Sequence, residues 1–156
     1  MILCTEVKPK IACYKTTEAV AGYELHTAEL SSKDSTWGTC VYTLNMQQAR
    51  KPQMTTEIKE STWIKIRLET NDDFLACCIY SSLQSDNLNN ERLRNLMQEV
   101  SKRSSTYALI VGDFNYPNVD WNTQKTEGDS TDGEDYKIVE SFRDGYWFQH
   151  VTKNWN

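Results

Sequence analysis

Leu109-Ile110-Val111-Gly112-Asp113-Phe114-Asn115 is the stretch that decides how this chain is read. A run of apolar residues stops abruptly at a carboxylate and, two residues on, an amide. Ala108 to Val111 reads as a strand buried on both faces, because an unbroken apolar run leaves neither face for water. Gly112 permits a tight turn at its end, where Asp113 and Asn115 emerge. Period-two alternation points both side chains the same way. In sheet-based α/β proteins that edge is where ligands bind. An anion beside an amide there suits a hydrated divalent metal and a phosphate.

Working outward from this stretch, the clearest pattern lies upstream in Trp63-Ile64-Lys65-Ile66-Arg67-Leu68. Ile64, Ile66 and Leu68 alternate with Lys65 and Arg67, as a half-buried strand requires. Asn71-Asp72-Asp73 marks a turn and Phe74 to Tyr80 is almost wholly apolar, so the two segments form an antiparallel hairpin. Leu93, Leu96, Met97 and Val100 recur at helical spacing and predict an amphipathic helix over residues 89–102. Downstream, a loop rich in Pro, Asn, Asp and Gly runs from Tyr116 to Gly133. A second helix carries Ile138, Val139 and Phe142, and a strand-like piece spans Trp147 to Val151. Toward the N-terminus, Gly38 to Leu44 and Gly22 to His26 read as strands. Ile2-Leu3-Cys4 reads as the end of another, with Glu6 at its exit and Pro9 blocking further ladder pairing. The class is α/β or α+β with a mixed sheet, in one domain spanning 1–156.

Charge and cysteine usage narrow the function. Seventeen basic residues face 22 acidic ones, a net charge of −5, so nucleic acid cannot be held by the surface as a whole. Any such role rests on a local site where metal ions offset carboxylates. Cys4, Cys13, Cys40, Cys77 and Cys78 form neither a disulfide framework nor a zinc pattern. Four of the five sit in apolar strand-like runs, where a thiol behaves as a small hydrophobe. The expected setting is the reducing interior of a cell, nuclear or cytoplasmic. No apolar stretch is long enough to span a membrane.

The tetrapeptide Gly112-Asp113-Phe114-Asn115 at the end of a buried strand resembles a core motif of the endonuclease/exonuclease/phosphatase superfamily. Other landmarks fall in the order found in the endonuclease domains of non-LTR retrotransposons. They are Thr5-Glu6, Gly22-Tyr23, Gly38 to Tyr42, Trp63 to Leu68, Cys78-Ile79-Tyr80-Ser81-Ser82, Asp113 to Pro117 with Asp120-Trp121, and Gln149-His150-Val151-Thr152. The resemblance covers nearly the whole chain. It implies a four-layer sandwich of two mixed β-sheets flanked by helices, incomplete here, and hydrolysis of phosphodiesters in DNA with Mg²⁺ or Mn²⁺. Glu6 would ligate the metal, a hard oxygen donor of the kind Mg²⁺ prefers. Asp113 would orient or deprotonate the attacking water. Asn115 would donate its amide to the phosphate or to Asp113, and Tyr80 its hydroxyl to the same phosphate. Trp121 is the one tryptophan suited to stack on a base; Trp63 and Trp147 are core.

Departures from the family pattern are equally specific. The family's first-strand Asn and its closing Ser-Asp-His, which supplies the general base, have no counterpart. Arg-Ser-Pro after the Tyr is replaced by Ser81-Ser82-Leu83, and the Thr-Arg expected near the end by the sequence around Lys153-Asn154-Trp155. These losses imply a partial domain, cut at both ends, with weak or no activity. Two other functions stay open: a catalytically dead relic or interaction module, and a phosphatase of the same superfamily. A structural reading also exists for Asp113 and Asn115, as a capped turn, since both residues are turn formers. His26 and His150 read as ordinary strand-surface residues. The acidic run from Glu127 to Asp135 reads as a solvated loop leading into a helix N-terminus. Asn118, Asp120 and Asn122 lack the Gly that a calcium loop needs. Oligomeric state is not legible.

Overall fold

The alternating segment and the apolar one after it form the hairpin that their pattern requires. In the computed structural model, which describes residues 1–7, 20–27, 38–58, 61–81, 87–103, 106–127 and 132–150, they pair antiparallel from Ser61 opposite Ile79 to Arg67 opposite Asp73. The strands in chain order are β1 (Ile2–Val7), β2 (Tyr23–Thr27), β3 (Gly38–Leu44), β4 (Ala49–Arg50), β5 (Ser61–Arg67), β6 (Asp73–Tyr80), β7 (Thr106–Asp113), β8 (Val119–Asp120) and β9 (Lys125–Thr126). The helices are α1 (Asn87–Ser101) and α2 (Glu134–Asp144). The protein is α+β, with sheets ordered β1-β3-β2, β4-β5-β6-β7 and β8-β9. Among the described residues no helix is long and apolar enough to cross a membrane.

The hairpin turn is fixed by Asn71 at φ 66°, a left-handed conformation that Asn tolerates better than most residues. The carboxylate of Asp73 then pairs with Lys65 and, at 2.9 Å, with Arg67, so the cationic face of β5 is tied to its partner strand. After β6 the chain crosses through α1 and returns as β7, parallel to β6 along its full length, with Asp73 opposite Thr106 and Tyr80 opposite Asp113. A parallel return of this kind needs a crossover, and the helix supplies it.

Both faces of β5 and β6 are buried, each by a different layer. Trp63, Leu75, Cys77 and Ile79 meet Leu93, Leu96, Met97 and Val100 of α1 and Ile138 and Val139 of α2. The opposite face, Ile64, Ile66, Ala76 and Cys78, packs with Val41 of β3 and Leu3 of β1. Buried hydroxyls cross that second interface: Thr39 and Thr62 share a 2.8 Å hydrogen bond, and the Thr62 hydroxyl also donates to the Thr39 carbonyl. Both groups are satisfied, which removes the desolvation penalty of burying them. The Cys78 thiol donates to the Cys4 carbonyl at 3.2 Å, again between the two sheets. Cys4, Cys40, Cys77 and Cys78 are all free thiols.

Three sequence expectations give way here. Among the described residues β7 is the last strand of its sheet and is not covered on both faces: Ala108 and Ile110 pack toward the helices, and Val111 is 39% exposed. An apolar run cannot distinguish a central strand from an edge strand lying in an apolar groove. Glu6 is inside β1 rather than at its exit. Cys4 opposes Cys40 and Val7 opposes Gly38, three steps against two, so a bulge falls at Thr5 and Glu6. Residues 147–150 form no strand, because Trp147 folds back on the end of α2: its N–H donates to the Phe142 carbonyl at 3.0 Å. Val151 and Pro9 lie outside the described residues.

Candidate active site

Tyr80 and Asp113 end two neighbouring parallel strands in direct register. The close approach that sets them side by side depends on Gly112, and its role is not to turn the chain. It sits within β7 opposite Ile79, where a Cβ would fall 1.8 Å from the Ile79 carbonyl oxygen. Only a residue without a side chain lets the strand ends meet.

Past Asp113 the chain turns at once, and the alternation expected to align Asp113 with Asn115 is lost. Asn115 has φ 47°. Its backbone N–H donates to Asp113 Oδ1 at 3.0 Å, an Asx turn. Its side-chain Nδ2 donates to the Ser81 carbonyl at 2.6 Å, while the Ser81 N–H donates to the Asp113 carbonyl at 2.8 Å. Ser81 is thus clasped between strand end and turn, a contact that no sequence motif announces. One N–H of the amide expected to reach the phosphate or Asp113 is given to the Ser81 carbonyl. Asp113 itself is exposed, and among the described residues no Lys or Arg pairs with it.

Asp113 and Asn115 line a broad groove of about 1210 Å³ that follows β7. Leu3 and Thr5 of β1, Val100 and Ser101 of α1, and residues 145–150 also line it. Thr5 therefore brings the bulge of β1 to the same groove; the Glu6 side chain lies outside the described residues. Tyr80 is half-buried. Trp121 also lines the groove, held in an aromatic cluster with ring centroids 5.0 Å from Phe142 and 5.8 Å from Phe114. Tyr116 lies beneath, buried, its hydroxyl 3.3 Å from Asn90 Oδ1 and its pKa pushed up to about 12 by burial. It is a neutral hydrogen-bonding group at physiological pH.

His150 lines the groove too, exposed and in irregular chain, where the sequence placed it on a strand surface. His26 is half-buried in β2 and hydrogen-bonded to the Thr43 hydroxyl at 2.9 Å. Asp120, exposed beside Trp121, accepts from the Thr123 hydroxyl at 2.7 Å and from the Asn122 N–H at 3.0 Å, a turn cap. The Thr123 hydroxyl, ahead of the backbone donors, holds its carboxyl below the usual range. Glu134 and Asp135 open α2, as helix polarity favours.

A divalent ion can be tested against this donor set. Among the described residues no three His, Cys, Asp or Glu side chains cluster as a metal would require. Mg²⁺ keeps several waters and needs only one or two carboxylates. Asp113, exposed in the groove and in no ion pair among the described residues, fits that lesser demand. No protein-family model matches the chain, and no curated protein sequence is similar enough to carry an argument.

Proposed function

We propose that this chain is a phosphodiester hydrolase domain of the endonuclease/exonuclease/phosphatase type, acting on DNA with Mg²⁺ or Mn²⁺. The reading takes β1-β3-β2 and β4-β5-β6-β7 as the two sheets of the four-layer sandwich. Support for it comes from the packing of α1 and α2 on one face of the second sheet and of β1 and β3 on the other.

The observation that carries the proposal is the register of Tyr80 with Asp113 at the ends of parallel strands, with Asp113 lining a groove that Thr5 of the β1 bulge also lines. The Asp113 carboxylate, exposed to water, orients the attacking water and accepts its proton. Tyr80 donates its hydroxyl toward a phosphate oxygen. Asn115 acts at one remove: its hydrogen bond to Ser81 fixes the turn that aims Asp113. Trp121 offers a ring edge to a base beside the scissile bond. Glu6 and Asp113 would hold the metal, which supplies charge neutralisation at the phosphate and the leaving oxygen.

The test is conversion of supercoiled plasmid to open circle with Mg²⁺. Nicking by the wild type, lost with EDTA and in Asp113→Ala, supports the reading. Plasmid that stays supercoiled at every metal concentration sinks it. It would favour the second reading, an interaction module that keeps the fold without the chemistry. That reading has its own support, since the Asx turn gives Asp113 and Asn115 a complete structural role.

A further inference from the structure

Cys4 of β1 and Cys40 of β3 stand directly opposite one another in an antiparallel pair. Residues so opposed project from the same face of the sheet, and their neighbours settle which face it is. Leu3 opposes Val41, and both lie in the layer between the two sheets, so the adjoining cysteine on each strand points the other way. Among the described residues neither Cys4 nor Cys40 belongs to that layer. In an antiparallel pair the opposed Cα atoms are about 4.5 to 5.5 Å apart, within the roughly 4.4 to 6.8 Å that a disulfide spans. The backbone therefore already sets two reduced thiols on one face at a separation that a single bond can close. Cys77 and Cys78 are placed differently. Cys77 lies in the layer under α1, and burial pushes its thiol pKa well up. Cys78 lies between the sheets, donates to the Cys4 carbonyl at 3.2 Å, and is pushed up to about 12 by burial. Both stay protonated at physiological pH, and the thiolate is the form that exchanges.

We propose that Cys4 and Cys40 are a reversible dithiol–disulfide couple that fastens β1 to β3, driven by a small-molecule disulfide such as oxidised glutathione. Cys4 is partly exposed and Cys40 only 3% exposed, which assigns the order of events. The Cys4 thiolate attacks one sulfur of the oxidant, so that a mixed disulfide forms and a first small thiol leaves. Cys40 gives its proton to water and attacks the Cys4 sulfur; the protein disulfide forms and the second small thiol leaves. Two protein thiols thus lose two electrons and two protons, and the oxidant becomes two thiols. Partial exposure of Cys4 leaves the bond open to the reverse attack. A reducing thiol pool keeps the pair apart and an oxidising shift closes it. The bulge at Thr5 and Glu6 follows directly after Cys4, so closure fixes β1 at the point where its regular pairing ends. Neither Asp113 nor Tyr80 takes part, and the couple stands whether or not the chain is a hydrolase.

The experiment exposes the folded full-length chain to oxidised glutathione, blocks the remaining thiols with N-ethylmaleimide in denaturant, and maps the products by mass spectrometry. Trypsin separates Cys4, Cys13 and Cys40 from one another and from the adjacent Cys77 and Cys78, so the joined fragments name the partners. Titratable thiols should fall by two from five, with the Cys4 fragment joined to the Cys40 fragment, and a thiol reductant should restore all five. Amide hydrogen exchange over Ile2–Val7 should slow in the oxidised form and recover on reduction. Cys4→Ser and Cys40→Ser should each abolish the link, and Cys78→Ser should leave it intact. A mixed disulfide that persists on Cys4, a link from Cys4 to Cys13 or Cys78, a link that forms only in denaturant, or unaltered exchange in β1 overturns the proposal. Mapping and exchange on the wild type decide the matter alone if a serine variant fails to fold.

Discussion

The Asn115 side chain donates to the Ser81 carbonyl at 2.6 Å, joining the residue that leaves β6 to the turn that leaves β7. Two strand ends brought together only by tertiary pairing are thereby locked into one unit, with Asp113 between them. Removing the amide should loosen the unit without unfolding the sheet. Asn115→Gly keeps the φ of 47° accessible and loses the hydrogen bond, for a cost of about 1 kcal/mol. Asn115→Ala loses the bond and also strains the backbone, adding about 1 kcal/mol more. Urea unfolding of the two variants resolves the terms; equal stabilities would mean that the left-handed conformation is not maintained in solution.

Gly112 tests the strand approach directly. A methyl group there meets the Ile79 carbonyl oxygen at 1.8 Å, so β6 and β7 must move apart. Gly112→Ala is expected to destabilise by about 2–3 kcal/mol. The same shift displaces Tyr80 from Asp113, so any nicking activity should fall further than the stability loss accounts for. Wild-type stability in this variant would contradict the parallel register.

Asp113→Asn separates charge from structure. The amide oxygen can still accept from the Asn115 N–H, so the turn and the melting temperature should survive nearly unchanged. What disappears is the exposed negative charge. Under the proposed function, Mg²⁺-dependent nicking should drop by at least about a hundredfold, the scale of losing a positioned general base. Full activity in the variant would remove Asp113 from the chemistry.

Glu99 sets an acid limit on stability. Its carboxylate accepts from the N–H and hydroxyl of Thr55, from the Thr56 N–H and from Arg103, binding residues 53–56 to α1. Burial alone would raise its pKa, but the hydrogen bonds from Thr55 and Arg103 outweigh it and leave the value below the ordinary 4.5. Because the folded value is depressed, the contribution is complete above about pH 4.5 and is lost as pH falls through the folded value. Glu99→Gln should cost about 1–2 kcal/mol at pH 7. It should also flatten the decline in urea midpoint between neutral pH and pH 3. A decline of the same steepness in the variant would place the acid sensitivity elsewhere.

How far the sequence reached depended on the range of each interaction. The 64/66/68 alternation, the helical spacing of Leu93, Leu96, Met97 and Val100, and the apolar stripe of Ile138, Val139 and Phe142 are local periodicities. They fix strand and helix wherever the chain is placed. The exits of β6 and β7 were legible for the same reason, since Tyr80 and Asp113 close apolar runs. What only tertiary structure decided is whatever depends on a neighbour far along the chain. That Gly112 serves an approach to Ile79 and not a turn, and that Ser81 receives Asn115, both follow from parallel pairing across α1, which no local pattern encodes. The aromatic segment after α2 misled for a related reason. Trp147 is β-prone by composition, yet its N–H and its ring find partners on the helix just completed, and the contact energy there overrides propensity.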